Sequence, residues 1–279
     1  MMDDSLRALL LALGDDELII GHRHSEWTGH APHIEEDVAF SSIAQDEIGH
    51  AAAFFSLVAD MEGSDPDAVA LGRKPEDYRH AILCERPNGD WGYTLARHWL
   101  YDSADDVRLE ALEESSHGEL RAVAAKLRRE ERYHLLHAEM WMRRVSRGPV
   151  EARARVADAL TDAFAEAVAV FEPLEFEEDA VRSGLLPVST DALRARYVER
   201  TTRALDELGL PVDVTTGADR AAEFVASAAG DLIVDESRNF ETRDPSSGAG
   251  GRRGRHSEEF GALWDEMTST YRDNPGATW

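Results

Sequence analysis

Apolar residues recur every three or four positions along most of the chain, the spacing of an α-helix that turns one face to a core. Leu6, Leu9, Leu10, Leu13 and Ile20 mark a first helix, from about Asp3 to His24, with Asp4 or Ser5 as its cap. Ile43, Phe54, Leu57 and Met61 mark a second, which Pro32 opens and Gly63 closes. Leu95 and Trp99 belong to a third, from about Trp91 to Glu114, after the turn at 87–90. Leu120, Ala124, Leu127, Ala138, Trp141 and Val145 mark a fourth, ending near Ser146 ahead of Gly148 and Pro149. Further helices are expected at about 75–86, 151–171, 190–208, 218–235 and 257–271, with an acidic loop at 172–188. Alternating strand-like runs joined by hairpin turns are missing from the sequence. The pattern predicts an all-α protein: one domain over 1–279, with a core bundle at about 3–146 and accessory helices at about 151–279.

Charged residues interrupt the apolar stripes in a regular way. Glu47 and His50 fall on the second stripe, three residues apart, and Glu131 and His134 repeat this on the fourth. Burying an ionised carboxylate without a partner costs several kcal/mol. A metal ion compensates that cost, and it suits a Glu and a His one helical turn apart. Four-helix bundles holding two ions add one carboxylate from each of the other two helices. Glu17, thirty residues before Glu47, lies on the first stripe, and Asp102, twenty-nine before Glu131, follows Leu95 and Trp99 on the third. The candidate metal ligands are therefore Glu17, Glu47, His50, Asp102, Glu131 and His134.

Four carboxylates with one imidazole per ion favour iron or manganese over zinc, and two iron ions are the expected cofactor. A ligating histidine usually gives its other N–H to a carboxylate. Asp46 and Glu130 directly precede the two motif glutamates; Asp46 is expected to brace His134, and Glu130 to brace His50, across the bundle. Asp106, one turn after Asp102, could neighbour the site. The irregular spacing of His22, His24, His30 and His33 reads as loop and capping histidines.

Composition narrows the function. The net charge of −25 argues against nucleic-acid binding. Lys74 and Lys126 are the only lysines, and acid-rich, Lys-poor composition suggests adaptation to high salt. No apolar run reaches the ~18 residues of a membrane span, and the chain reads as cytoplasmic. Cys84 is the sole cysteine, so no internal disulfide forms; it reads as a half-buried packing thiol. The most basic stretch holds Arg252, Arg253, Arg255 and His256 in a Gly-rich loop. It could grip a phosphate, meet a partner subunit, or pair with the chain's own acids.

GHRHSEWTGHAP with the following EED, RPNGDWGYTLAR, the EERYH helix and the C-terminal GGRRGRHSEEFG together resemble the multicomponent phenylacetyl-CoA epoxidase family of bacterial phenylacetate catabolism, whose fold is ferritin-like. Along nearly its full length the chain is most similar to the family's C-type subunits. These, as the family is described, have lost metal ligands and support the catalytic A-type subunit. Here QDEIGH and EERYH instead match the A-type ligand motifs, and Glu17 and Asp102 its single carboxylates. The resemblance implies an O2-activating monooxygenase component that epoxidises an aromatic ring held as a coenzyme A thioester. It also implies homo- or hetero-oligomers with other oxygenase subunits, and electrons from a separate reductase. The other readings are a non-catalytic structural subunit and a ferritin-like metal oxidase without an organic substrate.

Overall fold

The computed structural model describes residues 2–212, 214 and 248–277. Among them every regular element is helical. The long helices are α1 (Met2–Ser25), α2 (Ile34–Glu62), α5 (Trp91–Leu112), α6 (Gly118–Ser146), α7 (Val150–Val168), α9 (Thr190–Leu208) and α10 (Glu258–Asp273). Three short ones, α3 (Pro66–Leu71), α4 (Ile82–Glu85) and α8 (Glu177–Arg182), lie in the connections. Helix α1 packs along α2, and α5 along α6, giving two hairpins that make a ferritin-like four-helix bundle. Helices α7 and α9 cover the outer side of α5.

Local chemistry sets the helix ends. Asp90 caps α5 by accepting the Tyr93 N–H at 2.9 Å. Ser189 caps α9, and Gly63 and Gly209 end α2 and α9 in the left-handed conformation that glycine adopts without strain. Two other glycines bring α1 close to α2. A Cβ on Gly14 would meet the Phe55 ring at 2.7 Å, and one on Gly21 would meet Glu47 Cβ at 3.0 Å.

Helix α1 is buried on almost every side, Leu11, Leu18 and Ile19 included, because α2 and the later segments enclose it. The stripe on α2 holds at Ile43 and Phe54, but Met61 is 39% exposed where the helix runs past the core. On α6 the buried residue near the end is Met142; Trp141 is half-buried and donates to Glu36 at 2.8 Å.

The helix expected at 75–86 is a correction. The segment forms a 3₁₀ turn at Pro75–Asp77, an extended stretch, and then the single turn α4. The N–H groups of Arg79 and Ala81 donate to the carboxylates of Asp15 and Asp16, each at 2.7 Å, instead of to a helical ladder. Within the acidic stretch 172–188, α8 forms, and Glu177 accepts from the Thr190 N–H at 2.9 Å. The expected helix at 218–235 lies outside the described residues.

Candidate metal centre

The bundle brings the two Glu-x-x-His pairs face to face. Glu17 comes from α1, Glu47 and His50 from α2, Asp102 from α5, and Glu131 and His134 from α6. All six are buried, none more than 2% exposed. His50 Nδ1 lies 2.9 Å from Glu131 Oε1 and 3.5 Å from Glu17 Oε2. His134 Nδ1 lies 3.2 Å from the same Glu131 oxygen and 3.6 Å from Glu47 Oε1. The two rings stack, centroids 6.0 Å apart. Ligand atoms of Glu17, Glu47, His50 and Glu131 all fall within 4.8 Å of one another.

The outer nitrogens are already engaged. His50 Nε2 meets Glu130 Oε2 at 3.1 Å, and His134 Nε2 meets Asp46 Oδ2 at 3.3 Å. Each carboxylate therefore engages the histidine of the opposite helix. With Nε2 held outside, Nδ1 of each ring points to the centre. There, Glu17 Oε2, both oxygens of Glu47, Asp102 and Glu131, and both histidine Nδ1 atoms lack any partner with hydrogen-bond geometry. Buried polar atoms are ordinarily paired. A cluster of carboxylate oxygens and imidazole nitrogens left this way fits a metal cation, and Glu131 lies close to both histidines.

Without an ion, protons supply the positive charge. Burial opposes charge on His50, but Glu131 and Glu17 outweigh it and lift its pKa to about 11. Burial likewise opposes charge on His134, but Glu131 and Asp102 outweigh it and lift it to about 10. Burial and the neighbouring carboxylate Glu131 push Glu47 and Asp102 well above the usual carboxylate range. Burial would also raise Glu131, yet His134 and His50 hold it below that range.

Other partners were not singled out by spacing. Tyr101 donates to Glu17 Oε1 at 2.8 Å, and Arg108 donates to the Tyr101 hydroxyl at 3.2 Å. His98 Nδ1 lies 3.2 Å from Asp102 Oδ2. From His98 a line runs outward through His137, 3.3 Å away, to Glu36, 2.9 Å further on. Burial and the nearby His134 depress His98 to about 3, so its ring is neutral. His24 is fully buried against Phe40 and His98, while His30 and His33 are exposed. Asp106 turns away to Arg128 at 3.0 Å; the acid nearer the centre is Asp105, buried and paired with Arg108 at 2.6 Å. Positions 105 and 106, three and four residues after Asp102, both fit the helical period, and only packing shows that Asp105 is the buried one. Cys84 is fully buried, and burial pushes its thiol pKa up.

The Gly-rich basic loop divides. Arg252 is 4% exposed and grips Asp16, with Nη1 to Oδ1 at 2.8 Å and Nη2 to Oδ2 at 2.7 Å. Its guanidinium is turned inward, so the ligand expected of Arg252 is a buried acid of its own chain rather than a phosphate or a partner subunit. Arg253 and Arg255 are exposed.

Bundle and centre together define a ferritin-like protein with a carboxylate–histidine cluster suited to metal. The family model described as phenylacetic acid catabolic protein matches residues 1–223, and the chain belongs to that family. It is 29% identical to the C subunit of 1,2-phenylacetyl-CoA epoxidase from Escherichia coli (strain K12), over 99% of this chain and 100% of that protein. Among the described residues no helix is long and apolar enough to cross a membrane.

Proposed function

We propose that this chain is a dinuclear-metal, di-iron oxygenase component of a phenylacetyl-CoA epoxidase-like system, acting on an aromatic ring held as a coenzyme A thioester. One observation carries the reading: Glu17, Glu47, His50 and Glu131, all buried, bring ligand atoms that lack hydrogen-bond partners within 4.8 Å of one another, with His134 Nδ1 3.2 Å from Glu131. Glu17, Glu47, His50 and Glu131 would hold one ion, and Glu131, His134, Asp102 and Glu47 the second. Two iron ions bound there supply the two-electron reduction of dioxygen and the oxidising power for epoxidation.

The protein's own work is to place and shield. Glu130 and Asp46 fix the histidine rings with Nδ1 inward. Tyr101 holds Glu17 by one oxygen and leaves the other for the centre. Phe54 and Leu100 belong to the fully buried apolar packing that keeps bulk water out of the bundle. Electrons would come from a separate reductase, and other oxygenase subunits would complete a hetero-oligomer.

The test is metal content and turnover. The purified chain should hold about two iron or manganese ions, lose them in the Glu47→Ala/His134→Ala double variant with its helical spectrum retained, and turn over phenylacetyl-CoA with a reductase. A second reading, a non-catalytic structural role, is favoured by the full-length similarity to the C subunit of an epoxidase. Failure to take up ferrous iron anaerobically would select it.

A further inference from the structure

The bundle is covered unevenly. Helices α7 and α9 lie over α5, and α1 is enclosed, but among the described residues no element packs over the outer side where the first half of α2 runs beside α6. That side carries five of the nine large apolar side chains exposed among the described residues. They are Ile34 and Val38 on α2 and Tyr133, Leu136 and Met140 on α6, each 49–77% exposed. Exposed apolar residues gathered on one face mark an interaction surface.

The two outward stripes differ in character. On α2 the exposed positions Ile34, Val38, Ser42, Gln45, Gly49 and Ala52 follow at spacings of three and four, and none is charged. Charged residues make up 30% of the chain, so this face is not composed like a solvated one. A Cβ on Gly49 would meet nothing within 4 Å. No contact inside the chain therefore asks for glycine in mid-helix, where it weakens the helix relative to alanine. A second helix laid against this face does ask for it. On α6 the outward positions Arg129, Tyr133, Leu136, Met140 and Arg144 keep the same spacing and mix apolar with basic side chains.

The register between the two helices makes their stripes complementary. They run antiparallel, with Glu36 level with Trp141, Asp46 with His134 and His50 with Glu130. A two-fold axis along the groove between them lays α6 of one copy on α2 of the other and keeps those levels. Met140 then meets Val38, Tyr133 and Leu136 cover Gly49 and Gln45, Arg144 comes level with Glu35, and Arg129 can reach Asp46. Apolar groups face apolar or small ones, and basic groups face acids. Each copy offers the same two stripes, as a two-fold dimer requires.

We propose that this face joins two copies of the chain, α2 of each against α6 of the other. Twenty residues of helix at about 1.5 Å each, on two helices about 10 Å wide, give roughly 600 Å² per copy. The total of roughly 1,200 Å² is at the lower bound of stable interfaces. The dimer covers Asp46 and Glu130, the outer braces of His134 and His50, and closes the bare side of the bundle centre to solvent. The net charge of −25 on each copy opposes association, so screening by salt tightens the dimer.

Sedimentation velocity of the full chain across a wide concentration range, in low and high salt, tests this. A dimer is expected, stronger in high salt and present with or without metal. Val38→Glu and Met140→Glu, both at exposed positions, should each weaken it by about tenfold or more while the helical spectrum is kept. Glu35→Arg should weaken it too, and adding Arg144→Glu should restore it. Cys84 is the sole cysteine and is buried, so Val38→Cys with Met140→Cys should give a disulfide-linked dimer that neither single variant gives. A monomer throughout, which leaves the face to a different subunit, overturns the proposal. So does a dimer that Val38→Glu and Met140→Glu leave intact, or a double-cysteine chain that forms no linked dimer.

Discussion

Glu130 of α6 meets His50 of α2, Oε2 to Nε2 at 3.1 Å, while the next residue, Glu131, touches the opposite nitrogen of the same ring at 2.9 Å. Adjacent residues on one helix thus hold both ends of one imidazole. Asp46 does the same service for His134 from α2, at 3.3 Å. Glu130→Gln and Asp46→Asn should each weaken metal binding by about 10–100-fold, as loss of such braces does elsewhere. Competition with a chelator of known affinity measures this. The helical spectrum should not change, because both carboxylates sit at the bundle surface, 42% and 53% exposed. Unchanged affinity in both variants would mean that the rings are oriented by packing alone.

Metal uptake should release protons. The metal-free centre holds its histidines at about 11 and 10, with Glu47 and Asp102 raised as well, so ions compete with protons for the same atoms. Affinity should therefore rise with pH. Calorimetric titration in two buffers of different ionisation enthalpy should give different apparent heats; identical heats would contradict the competition. For the metal-free chain the sign is the reverse. Raised histidine values contribute stability below pH 6.5, their ordinary value, and that contribution fades as pH climbs through about 10 to 11.

Arg252 should prove a folding residue. Burial alone would raise the Asp16 carboxyl, but Arg252 and Arg108 outweigh it and hold it below its ordinary value of 3.8. A lowered carboxyl stabilises the fold above that value, and the stabilisation is lost as pH falls through the depressed one. Arg252→Met should cost about 3 kcal/mol at pH 7 by urea denaturation, near the lower end for breaking a buried pair, since Arg108 remains on Asp16. A cost under about 1 kcal/mol would mean that Arg108 alone suffices.

Two glycines should behave oppositely. Gly251→Ala drives a Cβ against the His80 carbonyl and should cost about 1–3 kcal/mol, with faster hydrogen exchange across 78–85. Gly261 sits exposed inside α10 with nothing near its missing Cβ, so Gly261→Ala should stabilise by about 0.5–1 kcal/mol. Thermal denaturation of the pair decides; equal effects would mean that the loop does not press on His80.

Much of this protein is determined by local order along the chain. Apolar period, caps and breakers set α1, α2, α5, α6 and α9 to within a few residues, because helix formation answers to neighbours three and four positions away. The same period carries Glu47, His50, Glu131 and His134 into the interior, since a side chain's face on a helix is settled by its number. Tertiary structure alone decided the rest. Segment 78–81 is extended because Asp15 and Asp16, more than sixty residues upstream, take its N–H groups. Arg252 is buried because Asp16 waits 236 positions away, and no local pattern separates it from exposed Arg253. His80 and His256 stack, and His98 reaches both Asp102 and His137, through contacts between elements whose meeting depends on how whole helices pack. Spacing along a chain sets which way a residue faces; it carries no information about what stands opposite.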